Sequence, residues 1–166
     1  MSLDWIKNLV FFAVLLLAQA LVLNYVHLFN CATPLLYVYF VLPTRRNQPR
    51  WITLLSCFLM GLCVDSFSNT PGVAAASMTL VGLLQPYLLS LFLQQDSPDD
   101  LRPSMKVLGP MKYAFYTVII VMIYCLLFFT LEAFNFFNWL QWLASIGGST
   151  LLTIVLILVI DNFRKK

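Results

Sequence analysis

Residues 51–73 read WITLLSCFLMGLCVDSFSNTPGV, an apolar run of membrane length that carries one carboxylate, Asp65, near its far end. A Pro-Gly pair, Pro71-Gly72, then leads straight into the next apolar segment. Gly61 and Asp65 are four residues apart and so share one face of a helix, with Cys57 one turn further back. A charge at the centre of a spanning helix costs on the order of 2.5–3.5 kcal/mol on insertion scales, and less toward the interface. Small residues beneath such a charge let a neighbouring helix approach and supply a partner. The stretch therefore reads as a closely packed helical corner with a polar tip.

Working outward, the 166-residue chain is 61% hydrophobic and 10% charged, with a mean hydropathy of +0.86. Soluble domains carry about 25% charged residues, so too few polar side chains are present to cover a water-facing surface. Lipid as solvent excludes open sheets and exposed loops at membrane depth. The apolar runs are continuous and lack the alternation of barrel strands, which leaves helices. The expected fold class is all-α, a polytopic membrane protein of one domain over residues 1–166.

The apolar runs predict six transmembrane helices, at about 6–25, 29–42, 51–66, 71–95, 111–131 and 139–160. Ala18-Gln19-Ala20 resembles a leader cleavage site, but the chain beyond it is again membrane-like, so the first run is read as a spanning helix. The second run opens with Pro34, tolerable in a first helical turn, and closes at Pro43; at ~21 Å it is short for a ~30 Å core. A basic loop comes next, with Arg45, Arg46 and Arg50. Thr70 and Pro71 read as an N-cap and first helical residue of the fourth helix, and Pro86 as a kink within it. The last helix carries a small-residue seam, Ala144-x-x-x-Gly148 beside Ser145-x-x-x-Ser149. With six crossings and the amino terminus inside, all ten Lys and Arg residues fall on the cytoplasmic side, as do both termini.

The search for chemistry finds no nucleophile with a base, no H-E-x-x-H and no phosphate-cradling glycine loop. No catalytic, metal or cofactor site is expected, and nucleic acid is not an expected partner. His27 reads as an interfacial polar residue, and Asp96, Asp99 and Asp100 as a solvated loop or the cap of a short surface helix. Cys31, Cys57, Cys63 and Cys125 lack C-x-x-C spacing and read as small apolar filler, with a Cys31–Cys63 bridge left open. Asp65 has two readings: an acceptor for the Ser68–Gly72 turn and the following helix, or a polar contact facing a partner or ligand. Gly61 and Gly72 are read as packing and turn glycines, and the basic loops as charge anchors that could also touch acidic lipid.

Gly61, Asp65 and Gly72 in the order G-x-x-x-D-x-x-x-x-x-x-G, followed by Ala74-Ala75-Ala76, resemble the signature region of MreD, the bacterial rod-shape-determining membrane protein family. Pro34 and Pro43, bracketing an apolar segment before a basic loop, also match that family. The resemblance implies a non-enzymatic scaffold of the cell-elongation, peptidoglycan-synthesising machinery in the inner membrane. Its implied partner is MreC, a single-span periplasmic protein, and through it MreB, RodA and a class B transpeptidase. MreD in turn resembles in fold the substrate-binding subunits of energy-coupling-factor transporters, which makes a small-molecule-binding transport subunit the alternative. Those subunits dock through Ala-x-x-x-Ala in the first helix, a spacing that Ala13, Ala18 and Ala20 do not supply.

Overall fold

The computed structural model describes residues 2–21, 33–45, 48–93, 103–132 and 139–164. Its regular elements are all helical: α1 (Ser2–Leu21), a 3-10 helix (Leu36–Phe40), α2 (Arg50–Ser68), α3 (Val73–Phe92), the short α4 (Met105–Leu108), α5 (Pro110–Glu132) and α6 (Trp139–Arg164). Four stretches are long and apolar enough to cross a membrane: Arg50–Ser68, Val73–Phe92, Pro110–Glu132 and Trp139–Phe163. The apolar part of α1, Asn8–Leu21, is shorter than these.

Close contacts between α2 and α3 set the direction of this pair. Asp65 meets Ala74 and Ala75, Cys57 meets Gly82, and Arg50 meets Tyr87, so α2 and α3 form an antiparallel hairpin. Gln85 and Phe92 on α3 both reach Tyr116, near the start of α5. The buried positions of α2, Thr53, Cys57, Met60, Gly61, Val64 and Asp65, recur at helical spacing and form one stripe against α3. The opposite faces carry exposed leucines and aromatics, as a lipid-facing surface requires.

One expectation is overturned here. The described part of the anticipated second helix, residues 33–42, is not an α-helix: Thr33–Leu35 is irregular and Leu36–Phe40 is 3-10. It is nonetheless core, with Leu35, Tyr37, Val38, Tyr39, Val41 and Leu42 all buried. Gln19 meets Pro34 and Leu36 while Phe11 and Phe12 pack on Phe40, so the segment descends antiparallel to α1. The anticipated return of the chain is present in direction but in a different conformation.

Polar side chains from elsewhere explain it. Backbone groups buried in a membrane bundle need partners, and here α1 and α6 provide them. The Ser149 hydroxyl accepts from the Thr33 amide at 3.1 Å, and the Thr153 hydroxyl from the Leu35 amide at 3.1 Å. The Gln19 side chain donates Nε2 to the Pro34 carbonyl at 3.0 Å and accepts the Leu36 amide on Oε1 at 3.0 Å. Gln19 thus pairs with the segment as a neighbouring peptide would in a sheet. Pro34 lacks an N–H and so needs no acceptor there.

Other boundaries move by a few residues. α2 runs to Ser68 rather than 66, ending at Asn69 in the left-handed conformation, and α3 begins at Val73 behind Gly72 rather than at 71 behind Thr70. α3 continues through Pro86. Along the anticipated seam of α6, Ala144 is exposed, Ser145 and Gly148 are half-buried, and Ser149 is buried where it holds the irregular segment. His27, Cys31, Arg46, Asp96, Asp99, Asp100 and Arg102 lie outside the described residues.

Candidate functional site

Gly61, Asp65, Gly72 and Ala74–Ala76 come together at the corner between α2 and α3. Asp65 is buried on the last turn of α2. Its Oδ1 accepts from the Ala74 amide at 2.9 Å and the Thr70 hydroxyl at 3.0 Å, and its Oδ2 accepts from the Ala75 amide at 2.9 Å. The first four amides of a helix have no intrahelical partner. In α3 the Val73 amide goes to the Thr70 carbonyl, those of Ala74 and Ala75 to Asp65, and that of Ala76 to the Gly72 carbonyl. A carboxylate from the preceding helix therefore caps α3 and sits at the positive end of its dipole. Thr70, anticipated as the cap, instead donates to Asp65.

The corner depends on two glycines for different reasons. Gly72 has φ +84°, a left-handed conformation that L side chains rarely adopt, and a Cβ there would meet nothing within 4 Å. At Gly61 the constraint is space, since a Cβ would lie 2.5 Å from the Cα of Ala75 and 2.6 Å from both the Ala74 oxygen and the Ala75 nitrogen. One turn below, a Cβ on Gly82 would lie 2.9 Å from the Cys57 sulfur. Cys57, Gly61 and Asp65 are thus the inner stripe on which the two backbones approach.

The remaining anticipated residues lie elsewhere. Pro34 is buried between α1 and α6, and Pro43 is half-buried in the turn after the 3-10 helix, closed by the Thr44 amide to the Val41 carbonyl. Arg45 is half-buried and Arg50 exposed at the opposite end of α2 from Asp65. Cys57, Cys63 and Cys125 are free thiols. Among the described residues, no group of three or more His, Cys, Asp or Glu side chains could hold a metal ion.

A second polar layer is not anticipated by local pattern. Besides Gln19, Ser149 and Thr153, the hydroxyls of Tyr37 and Tyr124 pair with each other, and Tyr39 donates to Asp161 on α6. Tyr116 accepts from Gln85 at 3.0 Å. The available signal was Gln19 alone in an apolar run and a Ser-x-x-x-Thr pair in α6, both of which need a partner in lipid. Comparison with protein-family models, with curated proteins and with solved structures found no match.

Proposed function

We propose that the chain is a non-enzymatic integral membrane scaffold of the bacterial cell-elongation machinery, acting as MreD-type proteins do and binding MreC within the inner membrane. The observation that carries this reading is the convergence of Gly61, Asp65, Gly72 and Ala74–Ala76 on one tightly built corner. Gly61, Asp65, Gly72 and the Ala74–Ala75 backbone all contribute to a closely packed α2–α3 hairpin, and such a hairpin presents defined helix faces to a neighbour. Its lipid-facing surfaces and short connections suit action through helix contacts rather than through a soluble domain. In this reading both termini are cytoplasmic, the chain crosses six times, and MreB, RodA and a class B transpeptidase are reached through MreC.

The second reading, a ligand-binding subunit of an energy-coupling-factor-type transporter, draws on the irregular backbone at Thr33–Leu35. Interrupted helices at membrane depth are where many transporters bind substrate. Against it, Gln19, Ser149 and Thr153 are already engaged with the backbone of that segment.

The discriminating experiment is isolation of the tagged protein in mild detergent from its native membranes, with identification of its companions. A single-span protein with a periplasmic coiled coil is the expected one. A pair of ATPase subunits in its place would replace the scaffold reading with the transport one.

A further inference from the structure

We infer that Arg50 and Tyr87 form a seat for the phosphate of an anionic phospholipid at the end of the α2–α3 hairpin opposite Asp65. The guanidinium carbon of Arg50 lies 5.6 Å from the Tyr87 ring centroid, and its Nη1 donates to the Tyr87 hydroxyl at 3.4 Å. The ring thereby holds the guanidinium in place while Arg50 stays exposed. Among the described residues Arg50 has no carboxylate partner, so the rest of its planar donor fork is open to two oxygens of a phosphate. Arg50 also opens α2, where the helix dipole is unfavourable to a cation; an anion beside it offsets both charges.

Depth and surroundings select a lipid over a free anion. The 19 residues of α2 extend ~28 Å, close to the ~30 Å hydrocarbon thickness, which sets Arg50 at the headgroup boundary. Trp51, next in the chain, is 67% exposed, and Leu91, one turn beyond Tyr87 on the same face of α3, is 78% exposed. A headgroup phosphate on Arg50 therefore has apolar surface beside it for the attached acyl chain. Lys112, near the start of α5, is a second exposed cation with exposed apolar neighbours, Met111 and Phe115, but among the described residues no aromatic ring holds it as Tyr87 holds Arg50. The seat is independent of whether the chain is a scaffold or a transport subunit.

The test uses full-length protein in nanodiscs of phosphatidylcholine with graded phosphatidylglycerol, counting the lipids retained on extraction by native mass spectrometry. Phosphatidylglycerol is expected to be enriched over phosphatidylcholine, and Arg50→Gln to lower the enrichment about fivefold, the effect of one basic residue at a charged membrane surface. Tyr87→Leu, which leaves the charge but frees the side chain, should lower it in the same direction, whereas Lys112→Gln should leave it nearly unchanged. Millimolar inorganic phosphate should not strip the bound lipid. Equal retention of the two lipids, an unaltered Arg50→Gln, an equal loss in Lys112→Gln, or displacement by inorganic phosphate would each overturn the seat.

Discussion

Gly61 lies so close to Ala75 that the side-chain position of one residue is taken by the backbone of the other: a Cβ at 61 would stand 2.5 Å from the Cα of Ala75. Real Cβ atoms do not approach backbone atoms so closely, and neither helix backbone can rotate away as a side chain can. The α2–α3 hairpin can form in this geometry only with glycine at 61.

Gly61→Ala is therefore expected to force the hairpin apart and destabilise the protein by about 1–3 kcal/mol, the usual cost of overpacking. Gly82→Ala should be milder, since its neighbour is the Cys57 sulfur, and Cys57→Ala should restore much of the loss. Gly72→Ala faces no clash but holds a left-handed conformation at about 1–2 kcal/mol. Thermal unfolding midpoints in detergent rank the three, and a Gly82→Ala loss larger than that of Gly61→Ala contradicts the close-approach account.

Asp65→Leu removes a carboxylate from the membrane but leaves the Ala74 and Ala75 amides and the Thr70 hydroxyl without their acceptor. A buried polar group so orphaned costs about 1–3 kcal/mol, so membrane abundance should fall. Asp65→Asn keeps one acceptor oxygen and should fall between Leu and the native residue. Normal abundance of Asp65→Leu with loss of a co-purifying partner would instead make Asp65 a contact residue.

Gln19→Leu strands the Leu36 amide and the Pro34 carbonyl, while Thr153→Val strands the Leu35 amide. Each is expected to cost about 1–3 kcal/mol. Because both side chains hold the same few residues, the double variant should cost less than the two singles added together. Unfolding midpoints of the four proteins in the cycle measure that difference, and strict additivity counts against a shared segment.

Topology is open to labelling with an impermeant thiol reagent in intact cells expressing a variant without the four native cysteines. Single cysteines at Asn47 and Ser104 should be protected, and those at Pro71 and Asn135 should react. Reaction at Asn47 from outside would overturn the proposed six-crossing arrangement.

Much of this protein is legible in one dimension because lipid makes backbone satisfaction local. A long apolar run such as 111–131 has to be a helix, since only the helix pairs its own N–H and C=O groups within the run. Helical spacing likewise puts Cys57, Gly61 and Asp65 on one face without knowledge of any partner. What the sequence could not supply is which groups are satisfied from a distance. Residues 33–42 are as apolar as a spanning helix, yet their conformation is decided by Gln19 on α1 and by Ser149 and Thr153 on α6, the last two more than a hundred residues away. The cap of α3 is settled in the same manner: Thr70 has the local signature, but packing of α2 against α3 brings the stronger acceptor, Asp65, to the helix end first. Local pattern determined where the chain is helical wherever its hydrogen bonds close within the segment, and tertiary contact determined it wherever a side chain from another helix stood in for the backbone.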